Sequence, residues 1–207
     1  MSFECALKKC DYDAPTRLWE GALVARYQAG IRTEARIVDA TRSLLAEGGL
    51  EATTLKAICE EAGVKAGSFY NLFDSKEAVV MRVVRESIDA VDPDPDGAGT
   101  DTVDDLVAAF IRFFLEQPEM AKVYVIAAVT AEATDNGARR RFLRHHLRRV
   151  ERFADAMARH DETLTPDAAT MRAEILLGAL DGLAFRWTID SSFEFEKFAL
   201  EAASRLS

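Results

Sequence analysis

The sequence has no long hydrophobic run, little proline, few cysteines and no excess of positive charge, and each absence removes a class of protein. Its longest clean apolar stretch, Val123 to Val129, has seven residues, against the roughly 18 of a membrane span. No membrane association is expected. No apolar region follows the Lys8-Lys9 pair, so a secretory leader is not expected either. Three cysteines, an odd number in 207 residues, argue against a disulfide framework and fit a reducing cytoplasm. Lys plus Arg number 26 and Asp plus Glu 35, a net charge of −9. That excludes a uniformly basic nucleic-acid coat and leaves room for a local basic surface. Hairpin signals are missing too: the one Asn-Gly pair, Asn136-Gly137, sits between helical patterns. There is no glycine-rich phosphate loop, no G-x-S-x-G elbow and no H-E-x-x-H metal helix. His145 and His146 are adjacent, so they point to different faces of a helix, and His160 is far along. No catalytic residue, cofactor or metal site is expected.

What remains is 49% hydrophobic and 29% charged, an ordinary globular balance. Apolar residues recur at three and four, which indicates an all-α fold. Residues 1–30 are ambiguous: Leu18, Trp19, Leu23 and Val24 suit a short amphipathic helix, and the segment suits a disordered arm equally well. From Ile31 the pattern sharpens. Ile37, Ala40, Leu44 and Leu45 share one helical face, stopped by Gly48-Gly49. Thr53 or Thr54 caps a second helix ending at Gly63. A short helix over about 65–73 follows, then one from Asp74 or Ser75 to about Ala90. The run Asp92-Pro93-Asp94-Pro95-Asp96-Gly97-Ala98-Gly99 breaks the helical pattern and sets a boundary. Three regions are therefore expected: an extension (1–30), a helix-turn-helix domain with its connecting helix (31–91) and a larger helical domain (92–207). In the last, helices are expected from about Thr102, from Pro118 to Ala133 with Gly137 as the break, from Ala138 to Arg159, from Thr165-Pro166 to Ile189, and from Phe193 to Arg205.

The stretch Thr53 to Lys76 reads TTLKAICEEAGVKAGSFYNLFDSK. A capped helix, a tight turn at Gly63 and a short second helix make a helix-turn-helix unit, whose second helix is suited to the DNA major groove. The pattern of Ile37 to Gly48, Thr53-Thr54, Ile58, Ala62-Gly63-Val64, Gly67-Ser68, Phe69-Tyr70, Phe73 and Ser75-Lys76-Glu77 resembles the TetR family of transcriptional regulators. The resemblance implies roles that local physics can be weighed against. Thr54 caps its helix and, by resemblance, faces a DNA phosphate. Lys56 is either a solvated charge or a contact to phosphate or base. Lys65 stands where the family favours Ser or Thr; a cation at a helix N-terminus is unfavourable unless a phosphate is near. Ala66 opens the recognition helix, and Gly67 permits close approach. Ser68 and Asn71 supply hydrogen-bonding groups. Tyr70 resembles the family's phosphate-contacting tyrosine, with a half-buried core role as the alternative, and Lys76 resembles a phosphate-binding lysine. Arg32 and Arg36 either grip flanking backbone or are solvated. Ile58, Val64, Phe69, Leu72 and Phe73 are core by spacing, and Cys59 is a small buried thiol. Residues 31–91 carry eight basic and ten acidic side chains, so DNA affinity depends on placement and on a dimer.

In the larger domain, resemblance implies that the last two helices form a homodimer interface, with Gly178, Asp181, Gly182, Phe185, Phe195, Phe198 and Ala202 as candidates; intramolecular core is the alternative for each. It also implies a cavity for a small effector. Phe110, Phe113, Phe114, Met120, Tyr124, Phe142, Phe153, Met157 and Leu176 are candidate lining residues, which would suit an apolar ligand. Seven arginines between Arg139 and Arg152 are read as a solvated face, with salt bridges to the acids of 92–105 or an anionic effector group as alternatives. The expected function is a repressor released from a palindromic double-stranded operator by a small molecule. A regulator without effector, an activator and an enzyme are the competing readings.

Overall fold

The computed structural model describes the backbone of residues 14–134 and 136–206, and the side chains from residue 27 onward except 131–136, 138 and 141. The described residues form nine helices and no strand: α1 Ala14–Ala52, α2 Leu55–Glu61, α3 Ala66–Tyr70, α4 Lys76–Asp89, α5 Val103–Glu116, α6 Pro118–Thr134, α7 Asn136–His160, α8 Pro166–Ile189 and α9 Phe195–Leu206. The all-α expectation holds, with an N-terminal helix-turn-helix part and a C-terminal helical part. Helix α1 starts far ahead of Ile31, so the chain enters the unit as one continuous helix from Ala14. Leu18, Trp19, Leu23 and Val24, like Cys5 and Cys10, lie outside the described side chains.

Short polar residues set four of the helix starts. Thr54, Ser75, Thr102 and Thr165 each accept a hydrogen bond from a first-turn backbone N–H, satisfying donors that a helix end leaves open. Thr102 and Asp105 form a reciprocal capping box. Glycine sets two of the stops. Gly49 breaks α1 at φ 65°, and the hydroxyl of buried Thr53 donates to its carbonyl at 2.7 Å. Gly63, at φ 61°, ends the run from α2: its N–H donates to Glu60 O and that of Val64 to Cys59 O, a Schellman closure. Gly137 does not act as the expected break; it sits in the first turn of α7, where a missing side chain costs little because the backbone there lacks its full hydrogen bonding anyway.

The buried side chains form one connected cluster that runs from Ile37 to Ala203 across both parts. Its centre is aromatic. Phe114, fully buried, meets Phe110, Phe113, Trp187 and Phe195 with ring centroids 4.9–5.8 Å apart. Each such side chain contributes about 1.5–3 kcal/mol by leaving water. Helix α4 packs on both α1 and α6. On the α1 side it adds a chain of exposed charges, in which Arg42 reaches Asp39 and Glu86, and Arg82 reaches Glu86 and Glu34.

Candidate nucleic-acid interface and interior cavity

Helix α3 is positioned from below by its own apolar side. Phe69 is fully buried, Phe73 nearly so, and their rings sit 5.7 Å apart. With Ile58 and Cys59 of α2 also buried, α3 is held with its opposite side open. The residues singled out by sequence lie on α3 and its two caps, at the start of α2 and at the start of α4. Thr54, Lys56, Lys65, Ala66, Gly67, Ser68, Tyr70 and Asn71 are all exposed, and Lys76 is half-buried. Tyr70 keeps 56% of its surface and meets Phe69 edge-on at 5.6 Å. The ring is anchored while the hydroxyl faces solvent, so the core alternative does not hold. Lys65 is the N-cap of α3 and makes no side-chain cap bond. Lys56 has only a loose, exposed pairing with Glu60 at 3.8 Å. A Cβ on Gly67 would meet nothing within 4 Å, so its bareness serves no contact inside the chain. Cys59 is buried, and burial together with Glu60 raises its thiol pKa, the opposite of a reactive thiolate.

A second feature is a cavity of about 500 Å³ between α4, α5, α6 and α7. Its lining includes Phe110, Phe113, Tyr124 and Phe153 from the candidate set. Phe114, Met120, Met157 and Leu176 are instead packed in the core, and Phe142 lies against Tyr124 with centroids 5.4 Å apart. The lining is mixed and not only aromatic. Arg85, Asp89, Asp92, His145, Arg148, Arg149 and Arg152 also face the cavity.

Two of these arginines are committed. Arg149 donates to the Tyr124 hydroxyl at 2.9 Å and to Asp181 at 3.3 Å, and its guanidinium lies 5.1 Å from the Phe110 ring centre. Arg152 grips Asp92 through two nitrogens, at 2.9 and 2.6 Å, and also bonds buried Asp101. Arg159 joins it on Asp101 at 2.9 Å. The Arg-rich run is therefore not simply a solvated face: its inner side is bridged to the acids of the 92–101 loop. That pairing with Arg152 holds the Asp92 carboxyl below its ordinary pKa. His145 stands between ring and charge. Its ring is 6.0 Å from that of Tyr124, and its Nε2 is buried with no hydrogen-bond partner. Burial, then the charges of Arg149, Arg148, Arg85 and His146, push its pKa down to about 4. His146 points elsewhere, 3.1 Å from Glu174.

A third feature is an open apolar stripe on α8. Met171, Ile175, Gly178, Gly182, Phe185 and Ile189 recur at alternating steps of four and three, which places them on one face. The four large side chains keep 49–66% of their surface. Cβ atoms on Gly178 and Gly182 would meet only open space. Asp181 is beside the stripe but engaged by Arg149. On α9, Phe198 is 43% exposed and Ala202 half-buried, whereas Phe195 is 2% exposed and belongs to the core. Met171, Ile175 and Ile189 are not among the sequence candidates, although their seven-residue recurrence with the glycines on α8 signals one shared face.

With these surfaces described, known proteins can be set beside them. Residues 37–83 match the family model of bacterial regulatory proteins, tetR family. The chain is 44% identical over 62 residues to the HTH-type transcriptional repressor KstR2 of Rhodococcus jostii, which covers 30% of this chain and 29% of that protein. It is 29% identical over 108 residues to the HTH-type transcriptional repressor KstR of Mycolicibacterium smegmatis, covering 49% and 53% of the two. The matched stretch thus spans less than a third of the first of these relatives and about half of the second. In fold, the chain is similar to a transcriptional regulator from Rhodococcus sp. Rha1, with a TM-score of 0.65, 21% identity, and coverage of 84% and 95%.

Proposed function

We propose, from the premise that residues 37–83 are those of the TetR family of bacterial regulatory proteins, that this chain is a ligand-responsive transcriptional regulator. It acts as a repressor on a two-fold symmetric double-stranded DNA operator. The observation that carries this reading is the exposed polar side of α3, with Lys65, Ser68, Tyr70 and Asn71 presented over a buried Phe69. A groove-reading helix needs that arrangement: polar atoms outward for base edges and phosphates, apolar atoms inward for rigidity.

The second clause is a homodimer. The α8 stripe supports it, because six aligned apolar or bare positions left in water favour association, and two glycines permit close helix approach. A dimer places two recognition helices on successive major grooves, roughly one helical turn apart or more. The third clause is a small-molecule effector in the α4–α7 cavity. It shifts operator affinity only if it binds the released conformation better than the DNA-bound one.

The test is fluorescence anisotropy of the full chain on DNA upstream of its own gene, with scrambled competitor. Saturable, salt-sensitive binding that is weakened roughly tenfold or more in Tyr70→Ala and in Lys76→Ala is the expected result. Unchanged binding in both variants sinks the assignment of the α3 face. A small molecule that tightens operator binding would overturn release as the mode of response.

A further inference from the structure

We propose that the cavity takes a small organic anion, an acidic group on an aromatic or alicyclic body, with Arg85 of α4 and Arg148 of α7 receiving its charge. The inference rests on the reading of this cavity as the effector site. Four arginines against two aspartates face the space. Two of the four are satisfied: Arg152 by Asp92 and Asp101, Arg149 by Asp181 and Tyr124. Arg85 and Arg148 have no ion pair or hydrogen bond among the described residues, and both are exposed. Asp92 is bound on both oxygens by Arg152, which leaves Asp89 as the single unengaged acid against two unengaged cations.

His145 marks the same deficit from inside. Its ring lies among Arg85, Arg148, Arg149 and His146, and its Nε2 is enclosed without a partner. Enclosed polar atoms are ordinarily satisfied, and like charges gathered around an imidazole are relieved by an anion. Deeper in, the lining turns apolar, with Phe113, Tyr124 and Phe153 at 3–5% exposure. A ligand that meets both ends carries its charge at the arginine end and a ring or cage among the aromatics. A neutral apolar molecule leaves the cations unpaired, and a cation meets repulsion from two of them. An anion between Arg85 and Arg148 ties α4 to α7, and α4 is the helix that packs on α1 of the DNA-facing unit.

Two probes with one aromatic body separate charge from shape: 1-anilinonaphthalene-8-sulfonate, and the neutral N-phenyl-1-naphthylamine that lacks the sulfonate. Both are titrated into the full chain, and operator binding is measured on the same sample. The expected result is one sulfonate probe per protomer, bound about tenfold or more tighter than the neutral probe, since hydrogen bonds to charged groups are the strong ones. In Arg85→Gln/Arg148→Gln the two affinities converge to within about twofold; in Arg85→Lys/Arg148→Lys the preference persists, because charge is retained. Equal affinities in the unaltered chain, a preference that survives the glutamine pair, or binding of neither probe overturns the proposal. The comparison on unaltered protein decides even if the glutamine variant fails to fold. Operator binding without anion preference sinks this inference alone. Anion preference without operator binding sinks the regulator reading and leaves an anion-binding cavity.

Discussion

The helix-turn-helix unit and the cavity-bearing body distribute polarity in opposite ways. Around α3 the apolar residues are inside and the cations outside, so Lys56, Lys65 and Lys76 meet water over a dry core. Between α4 and α7 charged groups turn inward, and arginines must be paired across long sequence separations or stay unpaired. The first arrangement is inexpensive to fold and leaves function on the surface. The second needs Asp92, Asp101 and Asp181 to be delivered to Arg152 and Arg149 by tertiary structure. Polar groups placed inside a fold are stabilising only when every partner arrives.

The contrast can be broken at its apolar centre first. Phe114→Ala removes the ring that four aromatic neighbours share and should cost about 3–5 kcal/mol of unfolding free energy. Because the buried cluster is continuous from Ile37 to Ala203, chemical denaturation should show one transition shifted as a whole. Two separated transitions would mean the parts fold independently. Asp101→Asn comes next. Asp101 is 6% exposed and serves both Arg152 and Arg159, so losing its charge should cost about 2–4 kcal/mol.

Acid should reach the two regions unequally. His145 has its folded pKa lowered to about 4 from the ordinary imidazole value of 6.5, so the unfolded chain binds the proton first. Stability is intact above pH 6.5 and falls toward pH 4, no more steeply than about 1.4 kcal/mol per pH unit. The groups facing it are Arg85 of α4, Tyr124 of α6, and His146, Arg148 and Arg149 of α7. His145→Gln should flatten this window in pH-dependent melts. A slope equal to that of the unaltered chain would count against the assignment. The smallest effect is expected at the surface. Lys76→Gln should leave the melting temperature in place and weaken operator binding by roughly tenfold, with a salt dependence shallower by about one ion per protomer.

Legibility followed the same division. Thr54, Ser75 and Thr102 announce helix starts by chemistry that acts over three residues, and the α3 face follows from a helix only five residues long with Phe69 inside. The cavity was not readable in this way. Phe113 and Phe114 are consecutive, yet one faces the void and the other fills the core. Arg152 is one of seven arginines in a run, and what distinguishes it is Asp92, 60 positions earlier. Helix periodicity tells which side of a helix is buried, not whether the space it faces is full. The N-terminal extension hid for another reason: α1 runs straight through Ile31, so the sharpening of the apolar pattern there does not mark a helix start.

The placement of Arg85 on the helix that also carries Glu86 has a consequence for recombination between regulators. Residue 85 faces the cavity and residue 86 is bonded to Arg42 of the helix-turn-helix unit, so adjacent codons serve the two halves. A chimera joined between Arg82 and Glu86 severs the Arg42–Glu86 bond, and one joined between Asp92 and Asp101 severs the Arg152 clamp, whereas a junction from Ser87 to Val91 spares both. Exchange of helix-turn-helix units would thus be tolerated best at the end of α4, from Ser87 to Val91, where Arg85 is still separated from Arg148 across the cavity.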